Sequence, residues 1–93
     1  MIGSWRDAET EDLFEGGGGS RSWQSFSRVA RRKLLMLEAA RTLDDLRSPP
    51  GNRLEALQGN RKGQHSIRVN DQYRVCFTWH DGRAYDIEIT DYH

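Results

Sequence analysis

Apolar residues spaced three and four positions apart predict one long amphipathic helix in the first half of the chain. Beyond Trp23 they form a single stripe, made by Phe26, Val29, Ala30, Leu34, Leu37 and Ala40. This spacing is typical of a helix that packs one face on a core. Residues 7–14 predict a shorter helix, whose acidic first turns suit the helix dipole. Residues 2–5 predict a short opening strand.

The period of the apolar positions changes to two after Pro49 and Pro50. Proline lacks a backbone N–H and restricts the residue before it, so these two residues end the helical region. Residues 66–69, 73–79 and 84–90 are rich in β-branched and aromatic side chains and predict three strands. Leu54 and Leu57 predict a further short strand.

Two turn signals join these strands into an antiparallel meander. Asp81 and Gly82 both tolerate positive φ and predict a tight hairpin, and Asn70 with Asp71 suits another short connection. The fold class predicted is α+β, with two N-terminal helices packed on an antiparallel β-sheet of about four to five strands.

Alternation along the central strand assigns its residues to two faces. The face expected to pack on the long helix carries Tyr73, Val75, Phe77 and Trp79, and His65 of the neighbouring strand is in phase with it. The opposite face carries Arg74, Cys76 and Thr78, with Ser66 and Arg68 beside them. We expect this second face to be an open polar surface.

The length of 93 residues predicts one domain with a single core. Residues 16–20 read Gly-Gly-Gly-Gly-Ser and predict a flexible loop, because glycine loses much backbone entropy when it is ordered. No apolar run is long enough to span a bilayer, and the N-terminal residues do not resemble a secretory signal. We therefore expect a cytoplasmic protein that does not contact a membrane.

Charge is balanced overall, with 14 basic and 14 acidic residues, but it is unevenly distributed. Residues 1–20 are acidic, whereas residues 47–74 are basic and contain Arg47, Arg53, Arg61, Lys62, Arg68 and Arg74 against Glu55 and Asp71. General affinity for nucleic acid usually needs a large net positive charge. The pattern therefore favours one local site for an anionic ligand.

Cys76 is the single cysteine of the chain. It allows no internal disulfide and excludes a thiolate metal site within one chain. A buried structural thiol is the favoured interpretation. The sequence predicts neither a metal ion nor a cofactor.

Three segments resemble the HigB-type toxins of the RelE/ParE superfamily. The first runs from residue 52 to 70 as Asn-Arg-Leu-Glu-Ala-Leu-Gln-Gly-Asn-Arg-Lys-Gly-Gln-His-Ser-Ile-Arg-Val-Asn, followed by Tyr73-Arg74-Val75-Cys76-Phe77. The second is the ending Asp91-Tyr92-His93, which is similar to the ending of many of those toxins. The third, Leu46-Arg47-Ser48-Pro49-Pro50-Gly51, resembles a GraT-like subgroup. The resemblance spans the chain apart from the glycine run.

The resemblance implies a RelE-like fold and the toxin of a type II toxin-antitoxin system. It implies a metal-independent endoribonuclease that cuts messenger RNA on the ribosome and so inhibits translation and growth. The implied partners are a helix-turn-helix antitoxin similar to HigA, the ribosome with its messenger RNA, and operator DNA bound through the toxin-antitoxin complex.

The implied catalytic residues suit the cleavage of RNA by its own 2′-hydroxyl. That reaction needs a base, a positive charge on the phosphate and an acid for the leaving oxygen. Arg74 could bind two phosphate oxygens. His93 could be the acid, since Asp91 favours its protonated form, and Tyr92 could stack on a base.

The chain departs from the family pattern in one segment. Many HigB toxins have histidine and lysine within the stretch that corresponds to residues 54–59, where this chain has Glu55 and Gln58. Glu55 is therefore a tentative base and equally a solvated strand residue. The basic residues nearby are candidate RNA-binding residues, namely Arg53, Arg61, Lys62 and Arg68.

Two other functions stay open at the level of sequence. A ParE-type toxin has the same fold but binds DNA gyrase and cuts no RNA, and fold alone does not distinguish the two. A small RNA-binding module without chemistry is the third interpretation. The terminal Asp91-Tyr92-His93 together with Arg74 favours the nuclease, because a protein that only binds has no need of a titrating terminus.

Overall fold

Helices precede a four-stranded sheet in a computed structural model, which describes residues 1–91. The α-helices are α1 (Ala8–Phe14) and α2 (Ser27–Ala39). The strands are β1 (Glu55–Ala56), β2 (His65–Arg68), β3 (Tyr73–His80) and β4 (Arg83–Asp91). Short 3₁₀ turns cover Arg21–Phe26, Leu43–Arg47, Pro50–Asn52 and Gly59–Arg61.

The strands lie in the order β1-β2-β3-β4, and each pair is antiparallel. This arrangement confirms the predicted α+β fold. The hairpin between β3 and β4 turns at Asp81 and Gly82, with φ of 49° and 78°, as their sequence predicts.

Both predicted helices are present. Asp7 caps α1, because its side-chain Oδ1 accepts a hydrogen bond of 2.7 Å from the backbone N–H of Thr10. The long helix begins after a 3₁₀ turn and ends where Ala40 becomes extended. Its apolar stripe is confirmed, since Ala30, Leu34 and Leu37 are fully buried.

The predicted opening strand is reduced to two isolated parallel bridges, Ile2 with Ala84 and Trp5 with Ile87. The register of β4 explains the interruption. Cys76 pairs with Glu88 and Thr78 pairs with Tyr85, so β4 has one extra residue at this point and Asp86 has a φ of 51°. A bulge of this kind bends the strand and breaks a regular ladder.

One side of the sheet, which we call the apolar side, packs on α2. Ile67, Val75 and Phe77 are fully buried there, and the ring of His65 stacks on Phe77 with centroids 6.3 Å apart. The predicted assignment of these residues to the packed side is confirmed.

The other side, which we call the polar side, is less open than the sequence predicts. Ser66 and Cys76 are fully buried, and the side chain of Arg74 is only 13% exposed. Arg6 and Arg61 both pair with Glu88, the cross-strand neighbour of Cys76. These long side chains lie around the centre of the face, so the expectation of an open surface is wrong there.

Residues 16–20 form no regular helix or strand. The Asp12 carboxylate accepts a hydrogen bond of 3.0 Å from the N–H of Gly19, which fixes the far end of the glycine run. Its flexibility stays a prediction. Within residues 1–91, no helix combines the length and the apolar character needed to cross a membrane.

Candidate functional site

A groove of about 270 Å³ lies where β1, β2 and β3 meet on the polar side. It is lined by residues of these strands and of the loops beside them: Arg53, Glu55, Arg68, Asn70, Asp71, Gln72 and Arg74. Three arginines face two carboxylates in this set. The groove therefore concentrates the positive charge that the sequence places in residues 47–74.

Arg74 is the most firmly held of the groove arginines. Its Nε donates a hydrogen bond of 2.6 Å to Ser66 Oγ, and its Nη2 donates one of 2.7 Å to the carbonyl oxygen of Arg53. A Glu55 carboxylate oxygen lies 3.9 Å from the same Nη2. Nη1 makes no hydrogen bond with any described residue. The guanidinium is therefore fixed on two sides and retains N–H groups for an anion.

Arg68 and Arg74 are direct cross-strand partners in β2 and β3. Like charges in this position destabilise a sheet. The two side chains diverge, because Arg68 pairs with Asp71 whereas Arg74 bonds to Ser66 and Arg53. The arrangement keeps two cations at one edge of the groove, although their repulsion lowers the stability of the sheet.

The loop between β2 and β3 forms the rim of the groove. Asn70 Oδ1 accepts hydrogen bonds from the backbone N–H groups of Gln72 (2.8 Å) and Tyr73 (2.7 Å), which fixes the turn. Gln72 Nε2 donates a bond of 3.0 Å to Asp91 Oδ2. Asp91, a predicted site residue, is thereby linked to the rim. Tyr92 and His93 lie outside the described residues.

The groove brings together some of the predicted residues and not others. Arg53, Glu55, Arg68 and Arg74 line it, and the Glu55 side chain is 54% exposed. Arg61 lies outside the groove. Its Nη1 donates a hydrogen bond of 3.1 Å to Gln64 Oε1, and the same atom lies 3.5 Å from Glu88 Oε2. Lys62 is exposed and is not among the lining residues.

From the sequence, Asn70 and Asp71 are recognisable only as turn residues, and Gln72 carries no functional signal of its own. Their turn signal was correct, but it did not show that the same loop forms the rim of a site. The signal available was proximity, because a tight loop after Arg68 and before Arg74 must lie beside both arginines.

Cys76 has the structural role that the sequence predicts. It is fully buried, and burial raises the pKa of its thiol to about 11. The thiolate is the nucleophilic form of cysteine, so a thiol of this kind is poorly suited to attack.

The chain belongs to a family of toxins. A family model described as the RelE-like toxin of type II toxin-antitoxin system HigB matches residues 3–93. The resemblance inferred from the sequence motifs is thereby confirmed, and the protein is a HigB-like toxin.

Two curated proteins are similar to parts of the chain. Toxin HigB-1 of Vibrio cholerae is 62% identical over 53 residues, which make up 57% of this chain and 56% of that protein. An uncharacterized protein of Haemophilus influenzae is 40% identical over 62 residues, which make up 67% of this chain and 61% of that protein. The chain thus spans less than two thirds of the length of either relative.

Solved structures of Staphylococcus aureus YoeB share the fold. The heterotetrameric YoeB-YefM toxin-antitoxin complex matches with a TM-score of 0.57 and 18% identity, over 100% of this chain and 98% of that chain. The YoeB dimer matches with a TM-score of 0.55 and 18% identity, over 99% and 97% of the two chains. These matches confirm a RelE-like fold.

Proposed function

We propose that this toxin is a metal-independent endoribonuclease that cuts messenger RNA while the ribosome holds it. The observation that carries the proposal is Arg74, a guanidinium fixed by Ser66 and by the Arg53 carbonyl in a groove lined by two further arginines. A fixed cation that keeps free N–H groups is suited to a phosphate whose charge grows in the transition state.

The reaction proposed is attack by the ribose on its own phosphodiester. The 2′-oxygen bonds to the adjacent phosphorus as a base removes its proton. The bond from phosphorus to the 5′-oxygen breaks as an acid gives that oxygen a proton. The products are a 2′,3′-cyclic phosphate and a 5′-hydroxyl, so the chemistry needs only proton transfer and stabilisation of the phosphorane.

We assign the positive charge to Arg74 and the acid to His93, because histidine is the residue type among positions 91–93 that is suited to proton transfer near neutral pH. We assign the base to Glu55, because of the two carboxylates that line the groove it is the one beside Arg74, whereas Asp71 pairs with Arg68. Asp91, linked to the rim through Gln72, would stabilise protonated His93. Tyr92 would stack on an unpaired base of the RNA.

We assign the neighbouring phosphates to Arg53 and Arg68, which line the groove with Arg74. Arg61 and Lys62 do not line the groove, so we propose them as contacts for phosphates further along the RNA. Three arginines bind phosphate, but they and the two carboxylates do not by themselves align an RNA for cleavage. The ribosome would supply that alignment by holding the messenger RNA.

The family and the YoeB-YefM complex support an antitoxin as partner. We propose a helix-turn-helix antitoxin similar to HigA, which with this toxin would bind operator DNA. The site of action would then be the cytoplasm, where ribosomes translate.

The test is single-turnover cleavage of messenger RNA on programmed ribosomes, beside the same RNA without ribosomes. Wild-type protein should cut only the ribosome-bound RNA. Arg74→Ala should lose activity on the order of 100-fold or more, as is usual when a donor to a developing oxyanion is removed. Arg28→Ala, an exposed arginine of α2 outside the groove, is the matched control and should retain wild-type activity.

The assay distinguishes the other interpretations. Efficient cutting of free RNA would refute the ribosome requirement, gyrase inhibition with intact transcripts would indicate a ParE-type toxin, and binding without cleavage would indicate an RNA-binding module. His93→Gln and Glu55→Gln separate the acid from the base. An active His93→Gln protein beside an inactive Glu55→Gln protein would refute the role given to His93.

A further inference from the structure

A buried lysine bonds to a buried asparagine that directly precedes Arg53, one of the groove residues. Lys33 projects from α2 and is only 9% exposed, and its Nζ donates a hydrogen bond of 2.6 Å to Asn52 Oδ1. Asn52 is fully buried. Neither residue lines the groove, and neither has a role in the proposed chemistry.

The amide group of Asn52 holds the loop that leads into the groove. Its Nδ2 lies 3.2 Å from the Leu46 carbonyl oxygen and 3.4 Å from that of Ser48, and bonds to both. Lys33 therefore satisfies one end of the Asn52 side chain, while the loop carbonyls satisfy the other. Together these bonds attach residues 46–52 to α2.

The loop ends at Arg53, whose backbone is left-handed with φ 46° and ψ 56°. A residue with a side chain rarely adopts this conformation, so the surroundings must enforce it. The Arg53 N–H donates to the Pro50 carbonyl at 3.1 Å, and the Arg53 carbonyl accepts the Nη2 bond of Arg74. The position of that carbonyl depends on where Asn52 is held.

We propose that Lys33 and Asn52 are positioning residues for Arg74. They fix Asn52, and through it the backbone of Arg53 that follows, so that the Arg53 carbonyl holds one edge of the Arg74 guanidinium and directs its remaining N–H groups into the groove. The consequence for catalysis rests on the ribonuclease function proposed above, whereas the consequence for the Arg74 side chain does not.

Burial of a cation at this place is costly. Desolvation lowers the pKa of Lys33 below its usual value, and the nearby charges of Arg32 and Arg68 lower it further. An apolar side chain on the same helical stripe would avoid the cost but would leave Asn52 Oδ1 without its donor. The bond to Asn52 is thus the interaction that a lysine supplies and a leucine would not.

The test follows the side chain of Arg74 by NMR, with its Nε–Hε signal assigned by its loss in Arg74→Lys. Hε bonds to Ser66 in the wild-type protein and should exchange slowly with water. In Asn52→Leu and in Lys33→Met we expect exchange to be about 10-fold faster, because the guanidinium loses the carbonyl that holds its other edge. Cleavage on ribosomes should fall between about 10- and 100-fold, through the rate at saturation.

Leu13→Ala is the matched control, because Leu13 is a buried residue of α1 and its truncation destabilises the fold without touching the loop. All variants are compared at a temperature where unfolding curves show each to be folded. Exchange as fast in Leu13→Ala as in the two test variants would attribute the effect to general stability and overturn the proposal. Should Asn52→Leu not fold, Lys33→Met decides.

The outcomes separate this inference from the proposed function. Unchanged Hε exchange in both variants overturns the positioning role, whatever happens to cleavage. Faster exchange in a protein whose wild type cuts no RNA supports the positioning role and refutes the ribonuclease. Faster exchange with unchanged cleavage overturns the link between the position of Arg74 and the rate.

Discussion

The centres of the two sides of the sheet are both buried, but by different means. On the apolar side Val75 and Phe77 contact a helix through side chains without polar groups. On the polar side Ser66 and Cys76 are equally buried, yet their neighbours are the charged groups of Arg61, Arg74 and Glu88. The apolar side derives its stability from area removed from water, whereas the polar side depends on hydrogen bonds that must all be satisfied.

This difference explains where the candidate site lies. A closely packed apolar side has few polar groups to offer a ligand and loses stability with every atom removed. The polar side holds Arg74 rigidly through two hydrogen bonds and still leaves N–H groups exposed to the groove. A sheet buried on one side by packing and on the other by polar contacts thus provides both a stable frame and a fixed cation.

The largest expected effect comes from removing a ring on the apolar side. Phe77→Ala should lower the free energy of unfolding by about 3–5 kcal/mol, because it leaves a cavity in a fully buried position. The adjacent Cys76→Ala removes one buried sulfur from the polar side and should cost about 1 kcal/mol. Urea unfolding measures both. Equal losses would show that the two sides contribute alike to stability.

The chemistry of Cys76 tests how well the polar side excludes water. Burial raises the pKa of the thiol from 9.0 to about 11, so at pH 8 the native protein holds about 100-fold less thiolate than the unfolded chain. Alkylation by iodoacetamide at pH 8 should therefore be at least about 100-fold slower in the native protein than in denaturant. Comparable rates in the two conditions would mean that the polar side opens readily.

The sequence predicts most of the frame because local patterns determine it. The stripe of α2, the alternation in β3 and the turn at Asp81 and Gly82 each depend on neighbours in the chain, and all three are confirmed. The prediction of an opening strand was wrong, because a ladder between residues 2–5 and β4 depends on the bulge at Asp86. That bulge lies 81 or more residues away in the sequence.

The candidate site was predictable in its residue types and not in its contacts. Motifs and charge identified Arg74, Glu55 and Arg68 as candidates, and the structure brings them to one groove. The burial of Arg74 was missed, because it depends on the Arg53 carbonyl 21 residues away. Lys33 carries a signal in the sequence, since it occupies a position of the apolar stripe between Ala30 and Leu34 and is buried with them.

Arg74 offers a smaller test of stability on the polar side. Arg74→Ala should lower the free energy of unfolding by about 1–2 kcal/mol, because buried Ser66 Oγ and the Arg53 carbonyl lose their donor. An arginine on an open surface would cost no more than about 0.5 kcal/mol. Arg28→Ala on the exposed face of α2 supplies that reference. Equal losses in the two variants would refute the structural role of the Arg74 bonds.

The smallest effect concerns the ion pairs beside Cys76. Glu88 Oε2 lies 3.1 Å from Arg6 Nε and 3.5 Å from Arg61 Nη1, and the Glu88 side chain is only 14% exposed. Glu88→Gln keeps the shape of the side chain and removes its charge. It should lower the free energy of unfolding by about 0.5–1 kcal/mol at low salt and by less at high salt, since salt screens the partly exposed arginines.

Asp44→Asn is the matched control, because the Asp44–Arg47 pair lies in solvent with both side chains at least 70% exposed. Its loss should stay below about 0.3 kcal/mol. Urea unfolding at low salt compares the two losses of unfolding free energy. If Glu88→Gln loses no more than Asp44→Asn, Arg6 and Arg61 cover Cys76 through the apolar stems of their side chains and not through their charge.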